Sequence, residues 1–175
     1  MELRRACDSN PKNNHYQSSF AGDVVNFSVY LKRLYRDSSV QLLSAIGNDS
    51  ISQKMYDFLS NAGIDTALVA RSQSKTIGLY TVENDDLGER SFTYWRSDSA
   101  ARKMFYLINE KLLANAITRA NYLYFTGITL AIIDQPSRER LFSLAEQFIN
   151  DNKHVIFDPN YRPHLWHRAE DALEQ

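Results

Sequence analysis

"TIGLYTVENDDLGERSFTYWR", residues 76–96, is the stretch on which the fold turns. Its two arms, "TIGLYTVE" (76–83) and "ERSFTYWR" (89–96), are rich in β-branched and aromatic residues and alternate with period two. Between them lies the turn-forming "NDDLG". The pattern predicts a β-hairpin. Its first strand places Gly78, Tyr80 and Val82 on one face. Its second places Arg90, Phe92, Tyr94 and Arg96 on one face and turns Trp95 to the other. A lone hairpin is marginal in water, so this one is expected to pack on the domain or on a second sheet.

The surrounding sequence has a different rhythm. Three short apolar runs read as buried strands: "VQLLSAI" (40–46), "YLYFTG" (122–127) and "HVIFD" (154–158). They lack strict alternation, as parallel strands covered on both faces do. Helical patterns lie around them. Asp23 to Tyr35 repeats apolar residues at Val25, Val29, Leu31 and Leu34, with Asp23 where an N-cap belongs. "DSISQKMYDFLSNAG" opens on Asp49 or Ser50 and closes on Gly63. "INEKLLANAITRA" and "QPSRERLFSLAEQFIND" follow, the latter with Pro136 in its first turn. Strands alternating with helices predict an α/β chain with a largely parallel sheet, into which the hairpin is inserted.

The chain has 175 residues, 43% of them hydrophobic, which suits one globular core or part of one. Lys and Arg total 20 against 21 for Asp and Glu, a balance without the electrostatic footprint of a nucleic-acid or anionic-membrane binder. The single cysteine, Cys7, has no partner for an internal disulfide, and a reducing cytoplasmic compartment fits. The polar N-terminus has no signal-peptide core, and the run at 122–133 is shorter than the ~20 residues of a membrane span. A soluble protein is expected.

In open parallel sheets, ligands bind beyond the carboxyl ends of the strands. Here those ends read "GNDS" (47–50), "TGIT" (126–129) and "DPNYR" (158–162), which suit either a pocket floor or simple βα turns. "FAGDVVN" (20–26) joins loop to helix, where Gly22 would allow close approach of a ligand and Asn26 lies about one turn on. Walker-type and Gly-x-Gly-x-x-Gly fingerprints are absent. Arg96 and Arg162 each follow an aromatic residue at a predicted pocket edge, where a guanidinium can grip a carboxylate or phosphate or form a surface ion pair. His164 and His167 stand three apart with no third ligand nearby, which favours packing or exposure over a metal site.

Together, "FAGDVVNFSVYLKRL", "SAIGNDSISQKMYDFLSNAGIDT", "GLYTVENDDLGERSFTYWRSDSAARKMF", "YLYFTGITLAI" and "VIFDPNYRPHLW" resemble the 2-keto-3-deoxygluconate kinases of the ribokinase-like sugar kinase superfamily. The resemblance runs from about residue 20 to the end. It implies a Rossmann-type α/β/α sheet, incomplete here, with the hairpin at about 76–96 as a lid closing over a sugar acid. Carried over motif by motif, it implies that Gly22, Asp23 and Asn26 bind the polyol. Tyr80, Tyr94 and Arg96 close over it, Ile128 forms a pocket wall, and Asn160 and Arg162 lie near the substrate and the transferred phosphate. The implied reaction moves the γ-phosphoryl of MgATP to the terminal hydroxyl of the sugar acid.

The resemblance also implies departures. The family's Gly-Ala-Gly-Asp motif, which supplies the anion hole and the catalytic aspartate, does not occur in the sequence, so no catalytic residue is assigned. Residues 1–175 then correspond to the N-terminal, substrate-binding part of one domain, without the ATP-binding part. A family member opens with a core strand before its "M-I-E-L"-like lid strand, whereas here "MEL" runs at once into "RRACDSNPKNNHYQSS". A chain of this kind is expected to be inactive alone and to self-associate through exposed sheet edges. A non-catalytic sugar-acid-binding or interaction role, and a kinase for another sugar or nucleoside, are the alternatives.

Overall fold

The computed structural model describes residues 1–5, 15–84 and 88–174. Cys7 and the centre of the "NDDLG" turn lie outside the described residues. In chain order the elements are β1 (Glu2–Arg5), β2 (Tyr16–Ser19), α1 (Asp23–Leu34), β3 (Ser44–Gly47), α2 (Ser50–Asn61), β4 (Val69–Ser72), β5 (Leu79–Asn84) and β6 (Arg90–Trp95). They continue with α3 (Met104–Leu107), α4 (Glu110–Arg119), β7 (Tyr122–Thr126), α5 (Gly127–Ile132), α6 (Gln135–Asn150), β8 (His154–Asp158) and α7 (Ala169–Leu173).

The hairpin forms where the sequence places it. β5 and β6 pair antiparallel, with Tyr80 opposite Tyr94 and Val82 opposite Phe92. It is half of a four-stranded sheet: β1 pairs parallel with β5 and antiparallel with β2, giving the order β2-β1-β5-β6. The two N-terminal strands resolve the marginal stability of an isolated hairpin, and Val82 is buried at the centre of this sheet.

The α/β part is built from two parallel ladders, β3 with β4 and β7 with β8. The parallel sheet, expected to be incomplete, is present as these two parts: among the described residues no strand joins the two ladders by hydrogen bonds. They nevertheless share a core, in which Ala45 of β3 and Phe125 of β7 meet Ala100, Met104, Phe105, Leu130, Ile133 and Leu141. A second cluster packs α1 and α2 on β3 through Val25, Val29, Ile46, Met55 and Leu59. Leu59 and Ile133 are almost wholly buried, each worth about 2 kcal/mol relative to exposure.

Helix ends follow the sequence chemistry. Asp49 caps α2 by accepting from the backbone N–H groups of Ile51 and Ser52, Asn109 caps α4, and Asp134 caps α6. Gly63, just after α2, adopts φ 75°, the left-handed region glycine enters without strain. Several expectations are corrected. The first strand begins at Ser44, because Val40–Leu43 makes one isolated bridge, Gln41 to Asp65, before the ladder starts. Leu34, expected on the apolar face of α1, is 76% exposed in its last turn. β4, α3 and α5, each of four to six residues, are too short to show a period in the sequence.

Candidate active-site floor and lid

Asp23 is the first residue of α1, and Gly22 is its N-cap, with no side-chain cap. This corrects the expectation that Asp23 caps the helix. Its carboxylate is therefore free to face the strand ends. There it accepts a short hydrogen bond from Thr126 Oγ1 and one from Asn160 Nδ2 at 3.0 Å. The contact joins the start of α1 to the carboxyl ends of β7 and β8, where a ligand site belongs in an open parallel sheet.

Each partner is held in turn. Thr126 is fully buried and caps α5, accepting from Thr129 N–H at 3.3 Å. Beside it, Gly127 lies so close to the Pro159 carbonyl that a Cβ would come within 2.0 Å of that oxygen. Asn160 has φ 30°, a conformation Asn tolerates better than most residues, and its N–H donates to Asp158 Oδ1 at 3.1 Å. Asp158 also accepts from the Tyr124 hydroxyl at 3.4 Å, and Phe27 stacks on the Tyr124 ring at 3.7 Å. Burial, then the Asp23 and Asp158 charges, raise the Tyr124 hydroxyl to about 12. An ionised carboxylate offers about four acceptor sites, so Asp23 with two donors in place can still accept from substrate hydroxyls.

The lid supplies aromatic surface and a cation. Tyr80, Phe92 and Tyr94 form one cluster, with ring centroids 5.9 to 6.5 Å apart. The Arg96 guanidinium sits 4.2 Å above the Tyr94 ring. Tyr80 donates to Glu2 Oε2 at 2.7 Å, so β1 anchors its hydroxyl, and burial followed by that hydrogen bond raises its pKa. Gly78 packs tightly beside this corner, where a Cβ would lie 3.0 Å from Arg96 Cβ.

Lid and floor meet through the segment after β8. Arg96 Nη2 lies 3.0 Å from His164 Nε2, and the His164 ring stacks on Tyr94 at 5.1 Å. Burial, then the charges of Arg96 and Arg162, lower the His164 pKa, which keeps the ring neutral and Nε2 able to accept from Arg96. Burial also lowers the pKa of Arg96, opposed by the nearby Tyr94 and Tyr80 hydroxyls. Its Nε is buried without a hydrogen-bond partner.

The structure thus brings Asp23 together with Asn160, Tyr80 with Tyr94 and Arg96, and Arg162 within electrostatic reach of Arg96. Asn26 stands on the exposed side of α1 with its N–H bonded to the Gly22 carbonyl at 2.8 Å. Ile128 is half-buried, the second residue of α5. Arg162 is exposed at the start of the 3₁₀ turn Pro163–Leu165. Sequence reasoning misses Thr126, Glu2 and His164 as site residues. The buried hydroxyl in an otherwise apolar strand was the available signal for Thr126. The described residues contain no cluster of three or more His, Cys, Asp or Glu suited to a metal. No helix among them is long and apolar enough to cross a membrane.

This arrangement has known counterparts. The chain is 42% identical over 159 residues to a 2-dehydro-3-deoxygluconokinase of Escherichia coli strain K12, covering 89% of this chain and 51% of the relative. It is 38% identical over 157 residues to the protein of the same name from Dickeya dadantii, again covering 89% of this chain and 51% of the relative. The chain therefore spans about half the length of the curated relatives it matches. The crystal structure of a PfkB protein from Polaromonas sp. JS666 superposes with a TM-score of 0.81 at 26% identity, over 99% of this chain and 57% of that one. The model of the pfkB family carbohydrate kinases matches residues 1–175, and this chain belongs to that family.

Proposed function

We propose that this chain is the sugar-acid-binding portion of a kinase that phosphorylates the terminal hydroxyl of 2-keto-3-deoxygluconate. The observation that carries the reading is the convergence at Arg96. A half-buried guanidinium on the inner face of the lid, with an unpaired Nε, stands beside the segment that follows Asn160, whose amide shares the Asp23 carboxylate with Thr126. In this reading Asp23 and Asn160 take the polyol hydroxyls, and Gly22, Asn26 and Ile128 border them. Arg96 and Arg162 hold the carboxylate, while Tyr80 and Tyr94 cover the carbon chain. Similarity to proteins named 2-dehydro-3-deoxygluconokinase supports the substrate.

MgATP, as the co-substrate, supplies the phosphoryl group and the metal that neutralises its charge. This chain's contribution is orientation of the acceptor and exclusion of water beneath the lid. A base for the hydroxyl and an anion hole are also required, and the Gly-Ala-Gly-Asp motif that the resemblance associates with them does not occur in the sequence. The chain by itself is then a binding unit in the cytoplasm, and a purely non-catalytic sugar-acid-binding role is the second reading. A third is a kinase for a neutral sugar, since Asp23 and Asn160 contact hydroxyls without regard to an acid group.

Calorimetric titration of 2-keto-3-deoxygluconate and of ATP, run separately, with an ATP-turnover assay on the same preparation, tests these readings. Binding of the sugar acid without turnover is expected. Turnover would overturn the non-catalytic reading, and no binding of the sugar acid would overturn the proposal for this chain.

A further inference from the structure

Beyond Arg96 the lid borders a cleft of about 600 Å³ between the end of β6, the end of α5 with the start of α6, and residues 164–171. Its lining includes three half-buried arginines, Arg96, Arg102 and Arg138. Half-buried arginines elsewhere in the described chain are satisfied. Arg71 bonds Gly47 O and Gln53, and Arg140 bonds Phe105 O and Glu110. The three in the cleft have no carboxylate within hydrogen-bond reach. Arg96 has His164, Arg138 donates from Nε to Leu130 O at 2.8 Å, and the Arg102 guanidinium has no hydrogen-bond or ion-pair partner among the described residues.

Desolvating cations that make no direct contact with a carboxylate is costly. Burial lowers the pKa of Arg138, which Asp134 and Asp171 raise and Arg102 lowers, and burial lowers that of Arg96, which Tyr94 and Tyr80 raise and Arg162 lowers. Two acids also face the cleft, but both are committed. Asp134 caps α6 and pairs with Lys103 at 3.0 Å, and Asp171 pairs with Arg168 at 2.9 Å. His167 lines the same side. Ile132 and the Trp166 ring, over which Arg138 lies at 5.3 Å, give the cleft an apolar wall. A space of this size holds a sugar-sized molecule rather than one small ion.

We propose that this cleft binds an organic molecule with two oxyanion groups, of the phosphorylated sugar acid class. The carboxylate lies at Arg96, the phosphate between Arg102 and Arg138, and the carbon chain against Ile132 and Trp166. The Arg96 end rests on the sugar-acid reading given above; the Arg102–Arg138 end stands on its own residues. Because Arg96 is shared, such a ligand competes with the sugar acid, so this class of molecule would act as an inhibitor at the lid.

The test is calorimetric titration of the full chain at low ionic strength with 6-phosphogluconate, gluconate and glucose 6-phosphate, which carry both groups, the carboxylate alone and the phosphate ester alone. The expected order places 6-phosphogluconate about tenfold or more tighter than either of the others. Arg102→Gln should remove about tenfold from 6-phosphogluconate and glucose 6-phosphate while leaving gluconate within about twofold, with Arg102→Lys intermediate. Because the Arg102 side chain has no hydrogen-bond or ion-pair partner among the described residues, the melting temperature of these variants should match the parent. Phosphate-ester binding that is unchanged by Arg102→Gln overturns the proposal, as does 6-phosphogluconate binding no tighter than gluconate. Failure of gluconate alone to bind counts against the carboxylate clamp. Arg102-dependent binding of glucose 6-phosphate reports the second subsite separately.

Discussion

Thr126 Oγ1 donates a hydrogen bond to the Asp23 carboxylate across 103 positions of the chain, fixing the first turn of α1 to the end of β7. Thr126 is fully buried and Asp23 half-buried, so the donor side of the bond is shielded from water. Thr126→Val keeps the shape and removes the donor. It is expected to destabilise the fold by about 1–3 kcal/mol and to weaken sugar-acid binding, because Asp23 keeps only Asn160 to orient it. Thr126→Ser should restore most of both. Chemical denaturation with calorimetry on the two variants checks this, and a fully stable, fully binding valine variant would refute the tether.

Arg96 is the proposed carboxylate clamp, stacked on Tyr94 and bonded to His164. Arg96→Ala should weaken 2-keto-3-deoxygluconate by about tenfold or more, as expected for loss of a charge-assisted pair, and leave a neutral sugar unaffected. Arg96→Lys should recover little, since an ammonium reproduces neither the fork nor the stacking. Equal losses for acid and neutral sugars would assign Arg96 to lid packing instead.

Gly127 has no room for a side chain, because the obstacle is the Pro159 backbone carbonyl, which cannot swing aside. Gly127→Ala should force the ends of β7 and β8 apart, cost about 2 kcal/mol or more and disrupt the Asp23–Asn160 contact. The readouts are the melting temperature and the recovery of soluble protein. At Gly88, where nothing lies within 4 Å but φ is 82°, alanine should cost only about 1 kcal/mol of backbone strain.

Asp134 carries the acid dependence of the α6 start. Hydrogen bonding at the α6 N-cap, from Ser137, and then Lys103 and Tyr106 hold its carboxyl at about 2, below the ordinary 3.8. A depressed carboxyl stabilises the fold above the unfolded value and loses that contribution as pH falls through the folded one. The loss is therefore expected between about pH 4 and pH 2. The side chain is largely solvated, so the effect is small, about 1 kcal/mol or less. Asp134→Asn keeps the cap and should flatten stability over that window while changing little at neutral pH.

Ile156 and Phe157 on β8 are 45% and 47% exposed, on a strand that among the described residues pairs only with β7. Parallel strands are ordinarily covered on both faces, so this edge is predicted to promote self-association. Ile156→Lys should shift the chain toward the monomer and raise its solubility, measured by light scattering coupled to size-exclusion chromatography. A parent chain that is already monomeric at high concentration would remove the basis for this expectation.

The local chemistry was legible in the sequence. Alternation fixed which face of β6 carries Phe92, Tyr94 and Arg96, because strand side chains repeat every two residues whatever the strand packs against. Asp49 or Ser50 marked the start of α2, because a cap satisfies its own helix's N–H groups, and Asp49 is the residue that does so. What depends on residues far apart was not legible. Asp23 read as a cap until the fold brought Thr126 and Asn160 to its carboxylate. His164 read as half of a pair with His167 until the segment after β8 folded against the lid and set it on Arg96 and Tyr94. The hairpin became a four-stranded lid only when β1 and β2 joined it. Periodicity and capping act within a few residues and are written in the chain, whereas the partner of a carboxylate or guanidinium is set by chain ends that meet only after the elements pack.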